Sequence, residues 1–229
     1  MARTGSIREL EKRFENEHTA ANLVALLRAY MDSREPRNLQ KGLDLGLKNL
    51  ESFSTHSRFL RHLSEMFLYI QNDSSAQKLA LEFATRAVAT APADARSYSY
   101  LGYVYWSLGR LVEAIETAER ALSMVPAEDT ALQHEFGANL AYYLAETADK
   151  KNGRRALELA RAAYNHDDRP SKADTLGYVL MKLSGKREDL EEAERLFHVA
   201  DKALGHENAF VRTHLEEAQK LLQREITHQ

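Results

Sequence analysis

The chain has no cysteine, so its nine histidines and its acids and bases are the residues that could do chemistry. His198, His206 and His214 recur every eight residues, which advances about 80° round a helix. Gly205 falls between the first two. That spacing is not that of paired zinc ligands, and surface histidines without a metal are expected. Glu188 to Glu194 reads EDLEEAE. Its charges gather at the expected start of a helix, where they favour the macrodipole, so a solvated N-terminus accounts for them. The basic cluster Lys150, Lys151, Arg154, Arg155 lacks interleaved aromatics and falls on an expected inter-helix turn, so no nucleic-acid contact is expected. There is no Walker-type phosphate loop, no GxSxG and no HExxH. No catalytic residue, metal or cofactor is therefore assigned, and a non-enzyme is expected. An enzyme would need acids and bases gathered in one cleft.

The whole-chain properties point the same way. The 229 residues carry a formal net charge of -3, with 28% charged residues, so no global basic field draws the chain to nucleic acid or anionic lipid. Four prolines and ten glycines argue against a turn-rich all-β chain and against disorder. No apolar run approaches the ~18 residues of a membrane span, and the first residues, MARTGSIRELEKRFENE, lack a signal-peptide core. A cytoplasmic protein with no membrane partner is expected, and the lack of Cys fits a reducing compartment.

The elements that would hold any functional side chain are helices. Tyr98 to Pro126 reads YSYLGYVYWSLGRLVEAIETAERALSMVP. Gly102, Ala114 and Ala121 offer low points where two helices can approach, and Tyr98, Leu101, Tyr105 and Leu122 fill the holes between them. A large residue at Gly102 would overpack the contact, at about 1–3 kcal/mol. Gly109 suits a tight turn, and Pro126 ends the second helix. The order aromatic, Leu-Gly, Tyr, Gly, Ala, Ala, Ala, Pro resembles the tetratricopeptide repeat, a helix hairpin of 34 residues.

The pattern returns along the chain. Ala80, Glu82, Ala84, Arg86, Ala87 and Pro92 match Ala114, Glu116, Ala118, Arg120, Ala121 and Pro126 at one offset of 34. In that earlier repeat Phe67 and Leu68 stand where Leu101 and Gly102 stand, a weaker fit. Leu140-Ala141 with Ala156, Ala160 and Ala163 forms the next repeat, lengthened at Asp149 to Gly153. AspThrLeuGlyTyrValLeu at 174–180, with Ala193, Phe197 and Ala200, forms the last, with a longer turn at Ser184 to Asp189. Before them lie three apolar stripes: Ile7, Leu10, Phe14; Leu23, Leu26, Leu27, Tyr30; and Leu39, Leu43, Leu47, Leu50, beside Gly42 and Gly46. A final amphipathic helix, with Phe210, Leu215, Ala218 and Leu222 on its apolar side, would cap the end.

The expected fold is all-α: a right-handed α-solenoid of antiparallel helix pairs, about twelve helices in a single domain over 1–229. Residues 1–52 are divergent N-terminal helices, 55–204 the repeats and 207–226 the capping helix. A separate docking role for 1–52, or self-association through it, stays open as an alternative.

The resemblance also implies a binding face. In such repeats the residue two after the conserved Leu points into the concave groove. Here it is Tyr69, Tyr103, Tyr142 and Tyr178, at intervals of 34, 39 and 36. The same alignment places His62, Arg96, Ser99, Trp106, Asn139, Asp174 and Met181 near the groove, and Trp106 is the only tryptophan. A phenol ring with a hydroxyl at its tip suits a protein or peptide partner with apolar anchors. The implied function is a scaffold or adaptor. The rings could instead pack against neighbouring helices, and the terminal helix could fill the groove. A peptide-sensing regulatory subunit is the alternative, motivated by the longer turns near Gly153 and Gly185. The Lys, Arg and Asn set that clamps chaperone tails in some members is missing, apart from Asn139 and Arg96, so a chaperone-tail receptor is not expected.

Overall fold

A computed structural model describes residues 6–69, 73–147, 149–183, 186–206 and 208–227, the last three in backbone alone. Among these residues there are twelve α-helices and no strand. The chain divides into two compact units, Met1–Arg110 and Leu111–Gln229.

The first unit holds α1 (Ile7–Asn16), α2 (Ala20–Asp32), α3 (Pro36–Lys48), α4 (Ser57–Tyr69), α5 (Ser74–Thr90) and α6 (Ala95–Ser107). Short polar residues set the starts. Ser6 and Glu9 form a reciprocal capping box, Thr19 caps α2, Asp73 caps α5 and Asp94 caps α6. Pro36 occupies the first turn of α3, where its missing N–H costs nothing. Leu23, Leu26, Leu27 and Tyr30 of α2 are buried against Phe59, Leu60, Leu63 and Met66 of α4. Gly42 and Gly46 make this possible. A Cβ on Gly42 would strike the Met66 side chain and approach Tyr30 Cδ2 at 3.1 Å, and one on Gly46 would meet Leu63 Cδ1 at 2.9 Å. The α3 stripe differs from the sequence reading, since Leu47 is exposed while Gly42, Leu43 and Gly46 are buried. Steps of four residues drift 40° each from a fixed face, which carries Leu47 out of the seam.

In this unit α2 packs on α4 and α4 on α6, with α5 against both α4 and α6. That is the layering of stacked hairpins. Phe67 is buried and stacks on Phe83 at 5.7 Å, so α4 joins α5 despite Leu68 replacing a small residue. The α6 helix ends at Gly109, whose φ of 72° is natural only without a side chain. The N–H groups of Gly109 and Arg110 turn back to the carbonyls of Trp106 and Tyr105, closing a Schellman turn.

The second unit holds α7 (Leu111–Ser123), α8 (Thr130–Ala145), α9 (Lys150–His166), α10 (Pro170–Leu183), α11 (Arg187–Ala203) and α12 (Ala209–Thr227). Here α8 packs on α10 and α10 on α12, with α9 and α11 as the second layer. Ala114, Ala118, Ala121, Ala156, Ala160, Ala163, Ala193 and Ala200 are all buried. The expected turn at 149–153 is instead the first turn of α9. Asp149 caps it, accepting from the Asn152 N–H at 3.1 Å, and Gly153 lies buried against Leu183. Gly153 is therefore a packing residue and not a loosened link, and Gly185 and Ser184 lie outside the described residues. In α12 the apolar side is also rotated from the expected one. Phe210 is exposed, and Val211, His214, Ala218 and Leu222 face inward.

Candidate functional site

The expected rungs separate into an exposed pair, Tyr69 and Tyr103, and a pair engaged by the chain itself, the half-buried Tyr142 and the buried Tyr178. In the first unit Tyr69 closes α4 and Tyr103 sits in the middle of α6; they are 56% and 42% exposed. Burial, then Tyr69, then Glu65 raise the Tyr103 phenol above its ordinary value. Burial and Glu65 raise that of Tyr69. Trp106, one turn beyond Tyr103, is half-buried and stacks on its ring with centroids 5.9 Å apart. The Tyr100 ring lies tilted beside that of Tyr103, centroids 6.0 Å apart. The result is a partly exposed aromatic shelf carried by two adjacent helices.

At the other end of α4 three arginines come near one another. Arg58, Arg61 and Arg96 stand close enough that Arg58 and Arg96 both disfavour the charge on Arg61, whose own burial is the larger cause of its lowered pKa. Asp94 is its acidic neighbour, with Arg61 Nη2 at 3.8 Å. Yet Asp94 already caps α6, accepting from the Arg96 N–H at 3.1 Å and the Ser97 hydroxyl at 2.7 Å. Arg61 Nε is buried with no hydrogen-bond partner. His62 sits 3.4 Å from Glu65, and Ser99 is buried.

In the second unit the rungs are closed by the chain itself. Tyr142 and Tyr178 stack face to face, centroids 4.2 Å apart and 10° from parallel. Tyr178 is only 4% exposed, and its hydroxyl donates to Glu146. Burial and that carboxylate push its phenol far above the ordinary range. His214 of α12 lies 4.8 Å from the Tyr178 ring and 5.5 Å from Phe197. Its Nδ1 is 2.9 Å from Asp174 Oδ1, and its Nε2 is 3.4 Å from the Tyr142 hydroxyl. Two expectations are corrected here. Tyr178 and Met181 are buried and not groove-lining, because α12 packs beside α10. His214 is a buried hydrogen-bonded side chain and not a surface histidine. Asp174 serves His214, and Asn139 is half-buried on α8.

One signal could have revealed this. His214 lies 36 residues after Tyr178, the interval separating Tyr178 from Tyr142. The last helix supplies one more rung, and its ring is an imidazole.

A second concavity, about 370 Å³, lies among α1, α2 and α3 over Phe14, Leu26 and Leu45. Its central carboxylate, Glu11, already accepts from Tyr30 at 2.6 Å and from Lys41 at 2.5 Å. Among the described residues no group of three or more His, Asp or Glu could hold a metal. No described helix is long and apolar enough to cross a membrane.

No protein-family model matches the chain, and no curated protein matches it in sequence. Solved structures do match. The crystal structure of TTC0263, a thermophilic TPR protein of Thermus thermophilus, superposes with a TM-score of 0.62 at 18% identity, covering 84% of this chain and 96% of that one. The fold is that of the tetratricopeptide-repeat proteins. A chain of the APC/C hetero-tetramer Cut9-Hcn1 has the same fold, with a TM-score of 0.63 at 14% identity over 97% of this chain and 46% of its own. So has YrrB, described as a TPR protein with an unusual peptide-binding site, with a TM-score of 0.50 at 16% identity over 89% and 96%. In tetratricopeptide-repeat terms, α4 and α5 form one hairpin, α8 and α9 another, and α10 and α11 a third.

Proposed function

We propose that this protein is a non-enzymatic interaction scaffold that receives a segment of a partner protein on the face shared by α4 and α6. The observation that carries this reading is the pair of exposed rings, Tyr69 and Tyr103, at matching positions of successive first helices, with Trp106 stacked on the second. Large aromatic side chains open to water are a poor use of apolar surface unless something covers them. Tyrosine and tryptophan give broad contact area at little entropic cost, and such residues dominate binding energy at interfaces. The fold supports the reading, since YrrB, with the same fold, is described as having a peptide-binding site. The corresponding rungs of the second unit are occupied by His214 and take no part.

The test removes the shelf without touching the core. Tyr69→Ala with Tyr103→Ala leaves Leu63, Met66, Leu101 and Val104 in place, so circular dichroism should be unchanged. Truncating two hot-spot rings costs about 2 kcal/mol or more, at least a thirtyfold loss of affinity. A partner recovered from native lysate by the wild type should then be lost. Recovery that survives both substitutions refutes the assignment.

A further inference from the structure

The scaffold reading leaves open which side chain of a partner the shelf of α4 and α6 selects, and the carboxylate beside its rings answers it. Glu65 lies four residues before Tyr69, one turn away on the same side of α4. Burial is the first cause of the raised phenols of Tyr69 and Tyr103, and Glu65 adds to both, so its charge stands near the two rings. Its side chain is 33% exposed, within reach of a docked group. Among the described residues no Lys or Arg pairs with it. Its basic neighbour is the His62 imidazole, whose Nδ1 lies 3.4 Å from Oε2 without making a hydrogen bond. Arg34 and Asp32 also act on Tyr69, with opposite signs, and so offset one another.

In the second unit the same register is answered from within. Asp174 lies four residues before Tyr178, and His214 Nδ1 stands 2.9 Å from it while the imidazole packs 4.8 Å from the Tyr178 ring. A flat side chain bearing an N–H group thus meets a carboxylate and a rung tyrosine together. In the first unit the matching residue of the next helix is Tyr103, and no hydrogen bond joins it to Glu65. The carboxylate still lacks its donor.

We infer that Glu65 and the Tyr69–Tyr103 shelf seat an arginine side chain of the partner segment, its guanidinium lying against the rings and donating to the carboxylate. This rests on the scaffold reading above. A guanidinium is planar, stacks on aromatic faces and offers two N–H groups to one carboxylate, whereas a lysine ammonium is a strongly hydrated point charge. The net charge of -3 also favours the approach of a basic segment.

The probe is a library of short random peptides displayed on phage, selected on the full chain and on Tyr103→Ala and Glu65→Gln variants. Glu65→Gln keeps the side chain's size and changes the net charge by one, so general attraction of basic peptides survives it. A selected peptide is then synthesised with its arginine kept or replaced by citrulline, the uncharged planar isostere, a comparison that needs no variant of the protein to fold. The expected outcome is enrichment of arginine and loss on Tyr103→Ala. Citrulline should weaken binding to the wild type about tenfold or more, and to Glu65→Gln by less than about threefold. Peptides lost on Tyr103→Ala but not enriched in arginine, or bound equally with citrulline, or whose arginine counts as much on Glu65→Gln as on the wild type, overturn the arginine inference and leave the scaffold reading standing. Peptides indifferent to Tyr103→Ala, or none recovered, overturn both.

Discussion

Replacing Gly177 by Ala tests the close approach of α10 to α11, and Gly137→Ala in α8 is its internal control. Both glycines lie within helices of the second unit, so each substitution gains about 1 kcal/mol in helix propensity. What differs is the space. A Cβ on Gly177 would stand 2.8 Å from Phe197 Cε1 and 3.1 Å from two more ring carbons. Carbon pairs prefer about 3.5–4.0 Å, so the ring must retreat by more than half an ångström. Phe197 is fully buried with His214 against it, and a ring cannot give way as the tip of an aliphatic chain can. Overpacking of this kind costs about 1–3 kcal/mol, leaving a net loss of about 1 kcal/mol. A Cβ on Gly137 meets only Leu159 Cδ2, at 3.4 Å, the end of a flexible side chain. There the propensity gain stands nearly whole, and the variant should be about 0.5–1 kcal/mol more stable. In thermal unfolding the two midpoints should move apart by about 3–8 °C, with Gly177→Ala below wild type and Gly137→Ala above it. If Gly177→Ala rises with Gly137→Ala, the ring-to-backbone approach does not govern this hairpin and the reasoning fails.

Two further outcomes follow from the second unit. His214→Ala removes the ring from Tyr178 and Phe197 and leaves Asp174 without its partner, at about 1–3 kcal/mol. Amide exchange of α12 should quicken, and unchanged protection there would refute its role as the fastening of that helix. His134 stacks on His166 at 4.4 Å, and burial, then His166, then Lys172 hold its pKa below the ordinary value of about 6.5. With the folded value below the unfolded one, the unfolded chain takes the proton first. Stability of the second unit should hold above about pH 6.5 and fall as pH drops through that range, levelling below the folded pKa. His134→Gln should flatten the slope; a melting series from neutral to mildly acidic pH with the same slope in both proteins would contradict this.

The architecture was legible because close helix contacts can be met only by small residues. Ala80, Ala84 and Ala87 recur as Ala114, Ala118 and Ala121 at one fixed offset, and all six are buried. A packing constraint therefore shows up as spelling. The insertion at 149–153 was misread because its Gly and basic residues suggest a turn, while the decisive signal was the capping Asp149 before Lys-Lys-Asn. Burial of Tyr178 was not legible in the tyrosines themselves. Tyr103 and Tyr178 follow the same Leu-Gly pair, and they differ only in what lies beside them. A neighbour 36 residues away decided the matter, and its type, histidine, hid the repeat.

Trp106 has a practical consequence. It is the chain's sole indole, stacked on Tyr103 at the edge of the shelf. On the docking reading proposed above, the protein thus carries its own optical gauge beside the bound segment. Emission excited at the red edge arises from this one chromophore, and a ligand that displaces water from Tyr103 must change its colour or yield, with no label attached.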